Sequence, residues 1–406
     1  MKVLIINTRW EGASTGKIAT GFYHKLIENG HQAVLLYGDG SVKSEDPNIR
    51  CIDSHIEIEF HRYLNYFSGF HGTFAPLAMS RLKNIIKKFK PDIVQLYNLH
   101  GYYLDIYKLF AFLKENDIPT VYGMLDEHPY LGYCCYAYDC EQFKTGCMQC
   151  TMKFEEGYLK SKYFNRARET FLLKQEAYSN FNNIIYTGPE WVINRAKESL
   201  LLKDKKLEIL DEYVETDNVF YPRDTKEIRN KLSISEDKII ILNVGPSENV
   251  RKGIQYYIEA AKKTKRDDIV FINVGYTSDK AGLPSNYIPI PYVSNQDELA
   301  LYYSLADLFV CTSIADTMPN VCLDSLACGT PVCGFNITGI PYVAEEPLGY
   351  FVEPGNVDEL LNIIHSAKKK DEMIINECRE YALQRYSPES YYERTMDIYN
   401  KLLNGR

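Results

Sequence analysis

The sequence has no long apolar run, no internal repeat and no excess of positive charge, and each absence excludes a class of protein. No stretch of eighteen apolar residues occurs in the 406 residues, so no helix that spans a bilayer is expected. The 46 basic and 54 acidic residues give a formal net charge of −8, whereas a nucleic-acid-binding protein is typically basic. Low-complexity tracts and solenoid-length repeats are missing as well.

A complete nucleotide-binding fingerprint is also missing. The glycine-rich stretch Glu11–Lys17 follows the first apolar run, but it has neither the Walker spacing nor the full dinucleotide spacing. Gly12 lets the backbone approach a ligand, and Ser14 or Thr15 can cap the helix that follows. Such turns are common in all folds with parallel sheets, so this stretch alone does not identify a ligand.

The composition is that of a folded globular protein, 45% hydrophobic and 25% charged. A chain of this length is long for a single core, so two domains are expected. The apolar run in Met1–Asn7 is too short for a signal peptide and predicts a first buried strand, which indicates a cytoplasmic protein. In that compartment the eleven cysteines are expected to be thiols or metal ligands.

Short apolar runs alternate with segments of helical spacing along the whole chain. This alternation predicts an α/β protein with two Rossmann-like, doubly wound domains that face a central cleft. Gly188-Pro189 breaks the pattern, so the predicted domains are 1–187 and 188–386, followed by a final helix in 387–406. The predicted strands are Val3–Asn7, Val34–Tyr37, Ile93–Leu96, Thr120–Tyr122, Ile184–Thr187, Ile239–Val244, Val270–Val274, Leu308–Thr312 and Pro331–Phe335. The predicted helices before the last one include Gly16–Asn29, Ile254–Lys262, Asp297–Leu305, Pro319–Cys328 and Val357–Lys370.

A basic pair stands between a predicted strand and a predicted helix. Gly245 follows the strand, and Arg251 and Lys252 come just before the helix that begins after Gly253. Cations at the start of a helix oppose its dipole, and a bound pyrophosphate would offset them. The structural alternative is a solvated pair of side chains.

Two aspartates, Asp316 and Asp324, lie eight residues apart around a predicted helix start at Pro319. The main-chain N–H groups of Asn320 and Val321 would face an anion, and the carboxylates would accept from sugar and ribose hydroxyls. The alternative is a capping aspartate followed by a surface aspartate on the helix.

Polar side chains also follow the predicted strand Ile93–Leu96. Asn98 and His100 stand at its carboxyl end, where ligands of open parallel sheets bind, although a structural histidine is the common case. Downstream, the spacing of Cys134, Cys140, Cys147 and Cys150 predicts a structural zinc site with four thiolates, and buried free thiols are the alternative. The basic amphipathic segment Arg81–Lys90 predicts either a solvated helix face or contact with an anionic membrane.

The segment Ser313–Val332 resembles the donor-binding signature of family 4 glycosyltransferases, which have the GT-B fold. That signature has two glutamates separated by seven residues, followed by a run that ends in Ala-x-Gly-Thr-Pro. Here both acids are aspartates, and the run ends in Ala-Cys-Gly-Thr-Pro at residues 327–331. The resemblance covers about Lys238–Gly355, and two segments of the amino-terminal half, Gly12–Lys17 and Asp92–Cys150, are also similar to the family. The stretches 95–104 and 144–150 are similar to the branch that builds capsular and exopolysaccharides, including the colanic-acid type.

The resemblance implies a role for each candidate residue. Arg251 and Lys252 would hold the nucleotide diphosphate, Asp324 the ribose hydroxyls and Asp316 the donor sugar. The expected catalytic residues are Arg251, Lys252, Asp316, His100 and Asp126; the donor site would also include Gly12, Ala13, Gly245, Met318, Pro319, Asn320, Val321 and Asp324; and the acceptor side would include Asn98, His100, Tyr102 and His128. In the family the final helix packs back on the amino-terminal domain.

Two positions depart from the family pattern. Pro246 replaces an arginine that commonly follows the strand-ending glycine, and Leu125 replaces a histidine that often precedes Asp126. The resemblance implies a retaining, metal-independent hexosyltransferase of bacterial surface-polysaccharide synthesis. It would use a UDP- or GDP-sugar and a glycan or lipid-linked glycan acceptor, with no nucleic-acid partner and with membrane contact at most peripheral. The alternatives are a non-catalytic nucleotide-sugar-binding protein and a GT-B epimerase or phosphorylase.

Overall fold

The computed structural model describes residues 1–12, 14–39, 42–150 and 161–405, and the chain divides into two compact units. Unit 1 comprises Met1–Leu210 and Tyr392–Arg406, and unit 2 comprises Asp211–Tyr391. The division therefore lies at Leu210 and not at the expected position, Gly188. The reason is that the chain continues from Gly188 into a helix and a further strand of the same sheet.

Unit 1 is an α/β layer structure around a parallel sheet. Its strands are β1 (Lys2–Asn7), β2 (Gln32–Tyr37), β3 (Ile49–Cys51), β4 (Ile93–Leu96), β5 (Thr120–Gly123), β6 (Ile184–Gly188) and β7 (Leu207–Ile209). Its helices are α1 (Ser14–Glu28), α2 (His55–Ser68), α3 (Pro76–Phe89), α4 (Ile106–Glu115), α5 (Ala167–Tyr178) and α6 (Glu190–Glu198). Across the described residues the strand order is β3-β2-β1-β4-β5-β6-β7, with parallel pairing throughout.

Unit 2 repeats this plan. Its strands are β8 (Ile239–Val244), β9 (Ile269–Val274), β10 (Tyr287–Ile290), β11 (Leu308–Cys311), β12 (Val332–Phe335) and β13 (Gly349–Val352), in the order β10-β9-β8-β11-β12-β13. Its helices are α7 (Lys226–Lys231), α8 (Ile254–Lys263), α9 (Gln296–Leu305), α10 (Asn320–Ala327), α11 (Val357–Ser366) and α12 (Glu372–Tyr386). The last helix, α13 (Pro388–Asn404), begins in unit 2, and its residues from Tyr392 onward belong to unit 1.

The apolar runs become strands because both faces of each sheet are covered. In β8, Ile240 and Leu242 pack in one hydrophobic cluster, while Ile239 and Ile241 pack in another. Alternate side chains of a strand point to opposite faces, so a strand covered on both sides must be apolar throughout. This is why continuous apolar runs, and not alternating ones, mark the central strands.

The last helix completes the core of unit 1. The hydroxyl of Tyr399 donates to Oε1 of Gln95 on β4 at 2.9 Å, and both side chains are fully buried. The ring of Phe22 on α1 lies 6.3 Å from the Tyr399 ring. A helix from the end of the sequence thus satisfies a buried amide in the middle of the first sheet. None of the described helices has the length and apolar character needed to cross a bilayer.

Candidate functional site

In unit 2, two loops meet at the carboxyl ends of the neighbouring strands β8 and β11. Gly253 has φ 63°, and a Cβ at this position would lie 2.0 Å from the carbonyl oxygen of Thr312, so only glycine allows this close approach. The hydroxyl of Thr312 donates to the carbonyl of Lys252 at 3.0 Å, and the N–H of Ile314 donates to the carbonyl of Arg251 at 2.9 Å. These bonds fix the basic pair beside the loop that carries Asp316.

The carboxylate of Asp316 accepts from both members of the basic pair. Lys252 Nζ lies 2.7 Å and an Arg251 guanidinium nitrogen 3.1 Å from the same Asp316 oxygen. The three side chains are 13–21% exposed. Arg251, Lys252 and Asp316 therefore form a cationic pair with one carboxylate, whereas the expected convergence of Asp324 on the same group and the binding role of these residues stay predictions.

Electrostatics keep this carboxylate ionised. Burial raises the pKa of Asp316, but the charges and hydrogen bonds of Lys252 and Arg251 lower it more, so the pKa lies below its usual value. The main chain is also held, since the N–H of Asp316 donates to the hydroxyl of Thr338 at 3.1 Å. Gly339 packs so tightly on this loop that a Cβ would lie 1.6 Å from the carbonyl oxygen of Thr317.

Helix α10 follows directly and carries the second aspartate. Asp324 is 9% exposed within the helix, and Asn320 is its first residue. The N–H groups of Asn320 and Val321 belong to the first turn, where a helix has no intrahelical acceptors for them. Met318 is buried and its sulfur accepts from the N–H of Glu212 at 3.4 Å, so it helps to fix the loop. Pro319 is buried at the N-cap, and Gly245 lies beside the Lys252 side chain.

In unit 1, Asn7 joins the loops after β1 and β4. Its amide nitrogen donates to the carbonyls of Arg9 and Thr15, and its oxygen accepts from the N–H of Asn98 at 3.1 Å. The structure thus places the glycine-rich turn beside the loop that holds Asn98. Gly12 adopts φ 91°, whereas Ala13 lies outside the described residues.

The polar residues after β4 and β5 form a buried cluster. His100 Nε2 lies 2.6 Å from Asp126 Oδ2, and the ring centroid of His128 lies 5.2 Å from that of His100. His128 is 1% exposed, and burial first, then the Lys174 charge, holds its pKa well below the usual value. Tyr102 stays at the edge, where its carbonyl oxygen accepts from His61 Nδ1. Of the residues expected on the acceptor side, His128 is therefore enclosed by protein.

The four cysteines expected to bind zinc lie in the segment after β5. Burial raises the pKa of Cys134, and the neighbouring thiols of Cys147, Cys150 and Cys140 add to this shift. Burial likewise raises the pKa of Cys147 to about 11. Among the described residues, however, no three of these four sulfur atoms lie within 4.8 Å of one another, and the four-thiolate zinc site stays a prediction.

Sequence reasoning missed three members of the buried cluster: His71, Cys135 and Lys174. Lys174 is fully buried, and its ammonium donates to the carbonyl oxygens of His128 and Leu131 at 2.5 and 2.9 Å. Burial lowers its pKa to about 8. The one sequence feature that could have indicated this cluster was Cys135, which directly follows the first of the four cysteines.

Comparisons with known proteins agree with this architecture. Residues 224–385 match the family model of glycosyl transferases group 1. Over 243 residues the chain is 23% identical to the N-acetyl-alpha-D-glucosaminyl L-malate synthase of Bacillus anthracis, covering 55% of this chain and 64% of that protein. The chain spans less than two thirds of the length of the curated relatives it matches.

Solved structures are similar over almost the whole chain. Sucrose-phosphate synthase from Thermosynechococcus elongatus has a TM-score of 0.71 at 15% identity, with 100% of both chains covered. HepE of Anabaena in complex with UDP has a TM-score of 0.65 at 14% identity, covering 98% of this chain and 99% of that one. At such identities the likeness concerns the fold. The chain thus has the two Rossmann-like sheets of the GT-B fold, and its residues 224–385 match glycosyl transferases group 1.

Proposed function

We propose that the protein is a family 4 glycosyltransferase that moves a hexose from a UDP- or GDP-sugar to a hydroxyl of a glycan. The acceptor is proposed to be a lipid-linked glycan in the synthesis of a capsule or exopolysaccharide of the colanic-acid type. One observation carries the proposal: Arg251 and Lys252 converge on Asp316 at the strand ends of the unit that matches glycosyl transferases group 1. HepE, whose structure contains UDP, supports the choice of a nucleotide diphosphate.

The charges in this site suit a diphosphate that carries a sugar. In the structure, the Asp316 carboxylate pairs with both cationic side chains. A diphosphate offers them more negative charge, so on binding the cations transfer to the phosphate oxygens and the Asp316 carboxylate accepts from sugar hydroxyls. The N–H groups in the first turn of α10 add donors for the same anion. Asp324, buried in the same helix, accepts from the ribose hydroxyls.

This arrangement lowers the activation barrier of glycosyl transfer by stabilising the negative charge of the leaving group. As the sugar–phosphate bond breaks, negative charge grows on the departing diphosphate, and Arg251 and Lys252 stabilise it without reorganising. The proposed reaction retains the anomeric configuration, with no protein nucleophile and no metal, and the departing diphosphate helps to deprotonate the acceptor hydroxyl. Proton NMR of the product reports its anomeric configuration.

Substitution of Lys252 tests the proposal. Lys252→Ala is expected to lower kcat by roughly 100-fold, because one of two cations that stabilise the leaving group is lost. The matched control is Lys262→Ala, which removes an exposed lysine from the next helix. Equal turnover in Lys252→Ala and Lys262→Ala contradicts the proposal.

A thermal-shift screen with UDP- and GDP-sugars identifies the donor, since a ligand that binds the folded state raises Tm.

A non-catalytic nucleotide-sugar-binding protein is the second candidate. Leu125 occupies a position where the resembling family often has histidine, and both signature acids are aspartates. Donor binding without transfer to any glycan acceptor would favour this candidate over the enzyme.

Peripheral membrane contact through α3 would suit a lipid-linked acceptor. Lys87, Lys88 and the C-cap Lys90 form a cationic end of this amphipathic helix, whereas Arg81 is paired with Glu57 at 2.6 Å. Co-sedimentation with anionic vesicles tests the contact. Binding that is unchanged after Lys87→Glu and Lys88→Glu would contradict it.

A further inference from the structure

The buried cluster of unit 1 brings together three different metal-binding side chains. His100 follows β4, while Asp126 and Cys135 belong to the loop after β5, and all three are buried. One ligand atom from each, a ring nitrogen, a carboxylate oxygen and a sulfur, lies within 4.8 Å of the other two. Over residues 1–12, 14–39, 42–150 and 161–405, this is the one set of three such side chains that meets so closely.

The donor atoms match those that zinc prefers. Zinc binds histidine nitrogen and carboxylate oxygen at roughly 2.0–2.2 Å and cysteine sulfur at about 2.3 Å, usually with tetrahedral geometry. Tetrahedral angles then separate neighbouring ligand atoms by roughly 3.3–3.7 Å. The hydrogen bond of 2.6 Å between His100 and Asp126 would have to open by about 1 Å, which small side-chain rotations allow.

Unpaired nitrogens next to the buried cluster indicate that it binds a polar ligand. His71 and His128 are each 1% exposed, and their rings lie 5.5 Å apart. Both ring nitrogens of His71 and Nδ1 of His128 have no hydrogen-bond partner among the described residues. A buried polar atom left unpaired destabilises the fold, so three such atoms in one cluster need an explanation. An ion with a bound water would provide them with a partner.

The charges of the pocket are compatible with a divalent ion. On binding, Asp126 and the thiolate of Cys135 together neutralise two positive charges, and the thiol proton is released. Lys174 belongs to the same cluster, where its ammonium is held by two carbonyl oxygens of the 128–131 segment and lies 3.4 Å from Nε2 of His128.

We propose that His100, Asp126 and Cys135 bind one divalent transition-metal ion, for which zinc is the best match, with water in the fourth position. This site is separate from the four-cysteine set and from the proposed donor site in unit 2. The ion joins the loop after β4 to the loop after β5, so it stabilises the strand ends of unit 1.

Zinc counting on the full chain tests the proposal. Metal-stripped protein is dialysed against Zn²⁺, and bound zinc is measured by atomic absorption. The double variant Cys140→Ser/Cys150→Ser, which disables the four-cysteine set, is expected to keep one zinc per chain. Adding Cys135→Ser or His100→Gln to it is expected to remove this zinc. The matched control is Cys333→Ser, since Cys333 is also a buried thiol and lies on β12 of unit 2.

The proposal is overturned if the double variant binds no zinc, or if its zinc is insensitive to Cys135→Ser and His100→Gln. Far-UV circular dichroism checks that each variant is folded. Where the double variant does not fold, Cys135→Ser alone is compared with Cys333→Ser. A deficit of one zinc in Cys135→Ser then supports the site, and equal zinc content overturns it. None of these readouts depends on glycosyl transfer, so failure here leaves the proposed function intact.

Discussion

In unit 2 the polar side chains at the strand ends stay partly exposed, whereas in unit 1 they are enclosed. Lys252 is 21% exposed and pairs with a carboxylate, while Lys174 is fully buried and donates to carbonyl oxygens. Both sheets are parallel; Lys252 follows β8, whereas Lys174 lies on α5 and donates to carbonyl oxygens of the segment after β5. The same topology can therefore carry a partly exposed charged site or an enclosed polar cluster.

The largest expected effect tests whether the unit 2 site binds a nucleotide. Asp324→Ala is expected to weaken the binding of a nucleoside diphosphate by roughly 10- to 100-fold, because a charge-assisted hydrogen bond contributes about 1.5–3 kcal/mol. Isothermal titration calorimetry measures the Kd. Asp267→Ala, which changes an exposed aspartate of the same unit, is the control. Unchanged affinity in Asp324→Ala would remove this residue from the site.

The second prediction compares the two lysines directly. Lys174→Met leaves two buried carbonyl oxygens without their donor, so the free energy of unfolding is expected to fall by about 2 kcal/mol. Lys252→Met is expected to lower it by less than about 1 kcal/mol, because its ion pair is partly solvated and Arg251 still pairs with Asp316. Urea unfolding measures both. Equal losses would show that burial is not what distinguishes the two units.

A third lysine tests whether desolvation or the identity of the unit determines the pKa of a lysine. Lys370 belongs to unit 2; it is only partly buried, unlike Lys174, yet desolvation lowers the pKa of both lysines to about 8. Between pH 8 and 9.5 the unfolded chain, in which a lysine has its usual pKa near 10.4, binds more protons than the folded one. Stability therefore rises with pH in this window. The wild type is expected to gain about 1.5 kcal/mol relative to Lys370→Met, and parallel pH profiles would contradict this.

The sequence allowed the central architecture to be predicted because buried strands are continuous apolar runs. The bounds of β4 and β8 were predicted correctly, and most other central strands agreed within one residue. The edge strands of both sheets, β3, β7, β10 and β13, were missed, since strands of three or four residues leave little pattern. The expected boundary at Gly188 was misplaced because Gly-Pro here marks a strand-to-helix turn inside a unit.

For the candidate site, success depended on resemblance to a known motif and not on distance along the chain. Arg251 and Lys252 were associated with Asp316 through a resemblance to a known spacing. Nothing in the sequence associated Lys174 with His71, because lysine is normally exposed and tertiary packing alone brings these residues together. A single sequence shows which residues carry chemistry, but it does not show how deeply each one is buried.

The last helix has a consequence for synthesis on the ribosome. The amide of Gln95, in the middle of the first sheet, obtains its tyrosine partner only from Tyr399, which is translated after all of unit 2. Domains tend to fold as they emerge, amino terminus first. The core of the first unit therefore stays incomplete during synthesis until the residues of unit 2 and Tyr399 have been translated.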